Sequence, residues 1–60
     1  MTSDELKAIK ERIGWDWSQL ARELHVDLAT LWRWRNDRSP IPGVATVALQ
    51  ALADGWRPQP

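Results

Sequence analysis

The sequence contains no cysteine, no tyrosine and no phenylalanine, and it has one histidine among 60 residues. Without cysteine the chain has neither a disulfide framework nor a thiolate metal site, so packing alone must hold the fold together. The chain also lacks a glycine-rich phosphate loop and a paired acid constellation, which leaves no site for catalysis. We therefore expect no metal, no cofactor and no enzymatic activity.

Long apolar runs are absent as well. No stretch approaches the roughly 20 residues that cross a bilayer, and residues 1–13 alternate charged and apolar side chains, unlike the core of a signal peptide. We therefore expect a cytoplasmic chain with no membrane partner. A chain this short buries only about 60 % of the surface that its unfolded form exposes, so it has room for one core.

The charge has no excess of either sign, since eight basic residues balance eight acidic ones. At first sight this balance argues against a nucleic-acid partner. However, residues 1–27 carry four basic and six acidic side chains, whereas residues 28–60 carry four basic and two acidic. This segregation predicts one basic face with modest non-specific affinity for nucleic acid. Three arginines of that face fall within six residues: Arg33, Arg35 and Arg38.

Two helices are predicted in the first half of the chain. Thr2 and Glu5 have the spacing of a capping box, and apolar residues then recur at helical intervals until Gly14 supplies a stop. Asp16 is the next N-cap candidate and predicts a second helix over residues 17–24.

Two more helices are predicted in the second half. Asp27 can cap a third helix that ends near Asn36, and Pro42 can sit in the first turn of a fourth. The expected fold is an all-α bundle of about four short helices, with a domain at residues 1–55 and an extended tail at residues 56–60.

The second and third predicted helices carry the pattern of a helix-turn-helix. Two short helices that cross closely need a small residue at their contact, which Ala21 supplies, and apolar residues around it. Trp32 lies about 200° round the helix from Trp34, so both cannot face one core. Trp32 then either contacts DNA or packs on the fourth helix. The apolar positions of the pattern are Leu20, Leu24, Val26, Leu31 and Trp34.

The segment LARELHVDLATLWRWRNDRSPIP, from Leu20 to Pro42, resembles the Cro-like phage-repressor family of helix-turn-helix regulators. The resemblance implies a lambda-repressor-like fold and sequence-specific binding of double-stranded DNA by a transcriptional repressor. Proteins of this kind include phage regulators, antitoxins that repress their own operon, and autorepressors beside anti-CRISPR genes, among which the sequence does not decide. His25 and Asp37 stand where the family usually has glycine, so we expect left-handed backbone at both.

The resemblance and the arginine cluster together define the candidate DNA-binding residues. Arg33 is the candidate for reading a guanine, and Arg35 and Arg38 are candidates for phosphate contacts. Trp17 stands where the family often has a phosphate-binding glutamine, and its indole N–H can replace that donor. The full set is Trp17, Ser18, Asp27, Leu28, Ala29, Thr30, Trp32, Arg33, Arg35, Asn36 and Arg38.

The fourth predicted helix has two apolar stripes. The stripe expected to cover the core consists of Val44, Val47, Ala48 and Ala51. A second exposed stripe predicts a two-fold homodimer on an inverted-repeat operator, although Trp56 can instead fold back onto its own core. The predicted interface consists of Ala45, Leu49, Leu52 and Trp56.

A second hypothesis comes from another functional class. The aromatic side chains of Trp17, Trp32 and Trp56 can form a surface that binds a partner protein, as an antitoxin binds its toxin. No segment of the sequence suggests a sensor domain, so we expect no small-molecule effector under either hypothesis.

Overall fold

This computed structural model describes residues 1–57 of the chain. They form four α-helices joined by short loops, and this part of the chain contains no strand. None of these helices combines the length and the apolar character needed to cross a membrane. The prediction of an all-α fold is confirmed. Helix α1 contacts α4 and α3, and α2 contacts α3. The helices are α1 (Ser3–Ile13), α2 (Trp17–Leu24), α3 (Leu28–Arg35) and α4 (Gly43–Ala53).

Side-chain caps begin the first two helices at the predicted residues. Thr2 Oγ1 accepts a hydrogen bond from the Glu5 amide at 3.1 Å, and Glu5 Oε1 accepts one from the Thr2 amide at 3.1 Å. Asp16 Oδ1 accepts from the Gln19 amide at 2.7 Å. Such a cap satisfies an N–H that the helix leaves unpaired and contributes about 1 kcal/mol. By contrast, no side chain caps α4, and Pro42 lies just before its first turn rather than within it.

Left-handed residues follow α2 and α3, as the sequence predicts. His25 and Asp37 both have a φ of 58°. The His25 amide donates to the Arg22 carbonyl at 3.2 Å, and the Val26 amide donates to the Ala21 carbonyl at 3.0 Å. This pair of bonds is a Schellman motif, which satisfies carbonyls at the helix end and reverses the chain towards α3.

Replacing His25 with glycine should stabilise the fold, because a side chain in left-handed backbone is strained. After allowing for the greater freedom of glycine in the unfolded chain, we expect a gain of about 0.5–1 kcal/mol, or about 2–8 °C in the unfolding midpoint. Asp37→Gly is the matched comparison and should gain less, because Asp37 Oδ2 accepts a hydrogen bond from Ser3 Oγ at 3.1 Å. Thermal unfolding followed by circular dichroism measures both; a lower midpoint in His25→Gly contradicts the prediction.

The core draws residues from all four helices. Ala21 and Trp34 are buried, as predicted for the small contact residue and the inward tryptophan. Leu24 and Val26 are only partly buried and pack at the edge of this core. The buried set is Leu6, Leu20, Ala21, Leu31, Trp34, Leu49 and Leu52.

Helix α4 buries the opposite stripe from the one predicted. Leu49 and Leu52 are 0 % and 3 % exposed, whereas Val44 and Val47 are 84 % and 68 % exposed. The prediction that Leu49 and Leu52 form an exposed dimer interface was therefore wrong. Both stripes are apolar, so periodicity could not choose between them, and the longer leucine side chains fill the space between α4 and the rest of the core. Ala45 is partly buried against that core.

The first residues after α4 contact the helical part of the chain through Arg57. Arg57 Nη1 donates to the Leu52 carbonyl at 3.0 Å, and the Arg57 guanidinium carbon lies 5.1 Å from the centre of the Trp15 ring. Trp56 remains 55 % exposed and is not part of the core. Residues 58–60 of the predicted tail lie outside the described residues.

Candidate nucleic-acid interface

Helix α3 separates a buried face from an exposed one. Leu31 and Trp34 are 1 % and 5 % exposed, whereas Trp32 is 46 % exposed. The prediction that the two tryptophans point in different directions is confirmed. The outer face can therefore meet a ligand without disturbing the core. It consists of Leu28, Ala29, Trp32, Arg33 and Asn36.

Asp27 fixes the beginning of α3 at the end of a three-residue turn from α2. Its Oδ1 accepts hydrogen bonds from the Thr30 amide at 2.8 Å and from the Thr30 hydroxyl. The hydroxyl bond, the amide bond and, more weakly, the charge of Arg33 hold the pKa of Asp27 below its ordinary value. Asp27 is thus ionised at neutral pH. Both predicted site residues, Asp27 and Thr30, already serve to position α3.

Trp17 brings two cations together. The Arg35 guanidinium carbon lies 4.7 Å from the centre of the Trp17 ring, and Lys10 Nζ lies 5.4 Å from the same centre. Each contact is a cation–π interaction, which favours a cation held over the face of an indole. Trp17 therefore links α1 and α3 at the first residue of α2, beside the exposed Ser18.

Two clefts of about 450 and 320 Å³ adjoin along one side of α3 and share Trp17, Trp32 and Arg35. We call the joined clefts the α3 trough. Trp32 thus lies on the α1 and α2 side of α3. The larger cleft adds Lys7, Lys10, Glu11 and Asn36. The smaller cleft adds Leu28, Ala29 and Leu31.

Lys7 and Lys10 are absent from the sequence-based site. Their spacing of three residues places them on one side of α1. Nothing in the sequence says that this side meets Trp17, because that contact depends on how α1 packs against α2 and α3. The tertiary structure therefore extends the basic surface onto α1, which contributes no residue to the site predicted from the sequence.

The three predicted arginines occupy different places. Arg35 lies over Trp17, and the Arg38 guanidinium carbon lies 5.7 Å from the centre of the Trp32 ring. Arg33 is exposed on the outer face of α3. Within residues 1–57 the one ion pair joins Lys10 Nζ to Glu11 Oε1 at 3.7 Å, so no carboxylate neutralises these arginines at contact distance.

A second exposed surface lies on α4. It is uncharged, because none of the residues that form it has a charged side chain. Val44 and Val47 are its most exposed apolar side chains, and Val44 also lines an apolar groove of about 230 Å³. We call Val44, Val47 and this groove the α4 surface. The groove is lined by Leu24, Val26, Trp34, Pro42, Val44, Ala45 and Ala48.

Comparison of the chain with models of protein families, with curated proteins and with solved structures gave no match. In the described part of the chain, no three His, Asp or Glu side chains come together as potential metal ligands.

Proposed function

We propose that the chain is a helix-turn-helix protein that binds a specific double-stranded DNA sequence and represses transcription by occupying its operator. The observation that carries this proposal is the exposed outer face of α3, with Arg33 at its centre. The major groove of B-DNA admits an α-helix, and such helices read bases with their N-terminal half. Leu28 and Ala29 at the start of α3 are exposed and lack bulky polar groups, which suits close approach to base edges.

The other cations suit contacts with the DNA backbone. Trp17 holds Arg35 and Trp32 holds Arg38, so each guanidinium is positioned before DNA arrives. A pre-positioned side chain loses less conformational entropy on binding. Arg33 then supplies base recognition, while Arg35 and Arg38 supply affinity that does not depend on sequence.

Arg33→Ala tests the proposal directly. After an operator has been selected from a random duplex pool, the variant should bind it about 1–3 kcal/mol more weakly, because a bidentate contact to guanine is lost. Its affinity for a scrambled duplex should change little. Arg22→Ala, on the exposed surface of α2, is the matched control and should bind both duplexes normally. Fluorescence anisotropy at fixed salt measures the affinities of the wild type and both variants for the two duplexes, and equal losses on both duplexes contradict base recognition by Arg33.

The proposal includes a two-fold homodimer joined through the α4 surface. Two copies of an uncharged apolar face can meet without unpaired charge, and a two-fold interface uses the same patch on both subunits. A dimer also doubles the cations that face DNA. The operator should then be an inverted repeat whose half-site centres lie about 10 bp, or about 34 Å, apart.

The hypothesis of a protein-binding aromatic surface has weaker support. Trp17 and Trp32 line the α3 trough, but Trp56 does not. The α3 trough therefore supports an aromatic surface of only two of the three tryptophans. Capture of a specific protein by the wild-type chain, with no selection of any DNA sequence, would favour this alternative.

A further inference from the structure

We propose that α1 takes part in DNA binding, with Lys7 and Lys10 holding the sugar–phosphate strand of the duplex in the α3 trough. This inference rests on the proposed function and adds a third helix, α1, to the proposed DNA-binding surface. The strand would pass along α3 beside the residues that enter the major groove. Its phosphates would face Lys7, Lys10 and Arg35, which line the same cleft.

The charges of the cleft support an anionic ligand. Lys7, Lys10 and Arg35 line it together with a single carboxylate, that of Glu11. Lys10 pairs with Glu11 at 3.7 Å, and within residues 1–57 neither Lys7 nor Arg35 has a carboxylate within ion-pair distance. Like charges that share a cleft repel one another, and a phosphate between them relieves this repulsion.

The shape of the trough favours a strand over a small free anion. The cationic cleft continues past Trp17 and Trp32 into the apolar cleft beside Leu28 and Ala29, which lie at the base-reading end of α3. A sugar–phosphate chain has both chemistries, since anionic phosphates alternate with largely apolar sugars. A single phosphate ion fills only the cationic end.

Trp17 positions two of the cations that line the trough. Its ring contacts both Arg35 and Lys10, so one aromatic side chain fixes the separation of a cation on α3 and a cation on α1. Trp17 is thus a positioning residue for the strand as well as a candidate contact. Both contacts are made by the face of the indole, so its N–H is not used in holding either cation.

The salt dependence of DNA binding tests the inference. Each phosphate contact contributes about 0.9 to the slope of log affinity against log salt concentration. The double variant Lys7→Gln, Lys10→Gln should therefore lower the slope by about 2 and weaken the selected and scrambled duplexes by the same factor. Lys7→Gln alone leaves the contacts of Trp17 intact and should lower the salt slope by about 0.9. Arg12 is exposed on α1 and lies outside the trough, so Arg12→Gln should leave the salt slope unchanged.

Each outcome is decisive once circular dichroism has shown the variants to be folded. Unchanged slopes in both lysine variants overturn the inference and leave the proposed function standing, whereas failure of the wild type to bind any duplex overturns both. Inorganic phosphate, titrated while the indole N–H signals are followed by NMR, distinguishes a strand from a free anion. We expect no saturation below millimolar phosphate, and saturation at micromolar phosphate overturns the strand assignment.

Discussion

Trp34→Ala should leave the chain largely unfolded at 25 °C. Trp34 is 5 % exposed and belongs to a core to which every helix contributes. Truncating a buried tryptophan costs about 3–5 kcal/mol, while a chain of this length has roughly 3–9 kcal/mol of stability in total. Far-ultraviolet circular dichroism with urea titration measures the loss.

Trp32→Ala is the matched control for Trp34→Ala, because it removes the same side chain two residues away. Trp32 is 46 % exposed and contacts Arg38, so its loss should leave the helical signal intact. A folded Trp34→Ala variant beside an unfolded Trp32→Ala variant would mean that α3 is rotated about its axis relative to this structure.

Leu52→Asp should also unfold the chain. Leu52 is 3 % exposed, and an unpaired carboxylate in an apolar core costs several kcal/mol. Val47→Asp places the same charge on the same helix at a site that is 68 % exposed, so this variant should fold normally. Thermal unfolding of the two variants measures the difference, and a stable Leu52→Asp variant would contradict the buried stripe of α4.

The folded Val47→Asp variant then tests the proposed dimer, because two copies would each bring a carboxylate into the α4 surface. We expect it to lose cooperative binding to the full inverted repeat while each domain still folds. Sedimentation of the wild type and the variant, with and without DNA, measures the number of chains per operator. A variant that still pairs normally, or one wild-type chain per operator, would rule out this interface.

The backbone of the first three helices was predictable because local rules govern it. Asp16 caps α2 wherever the helix packs, since its carboxylate bonds an amide three residues away. His25 and Asp37 mark left-handed positions for a similar reason, because the conformation belongs to each residue's own backbone. An α-helix has 3.6 residues per turn, so Trp32 and Trp34 must point in different directions. This prediction also needs no knowledge of the tertiary structure.

Local rules do not predict which face of α4 is buried. Its residues are apolar on more than one side, so the sequence allowed either Val44 and Val47 or Leu49 and Leu52 to face the core. The choice depends on side-chain volume in the space that the other helices leave, and the pair of leucines fills it. Leu52→Asp therefore reports on folding, and only Val47→Asp reports on assembly.

The sequence by itself determined the four helices, the side-chain caps of the first three, the left-handed turns after α2 and α3, and the exposed position of Arg33, because each follows from local rules. Only the tertiary structure decided which face of α4 is buried and which residues of α1 meet the site. Lys10 and Arg35 are distant in sequence, yet both lie over Trp17. Contacts of this range depend on the packing of whole helices, which no local pattern encodes.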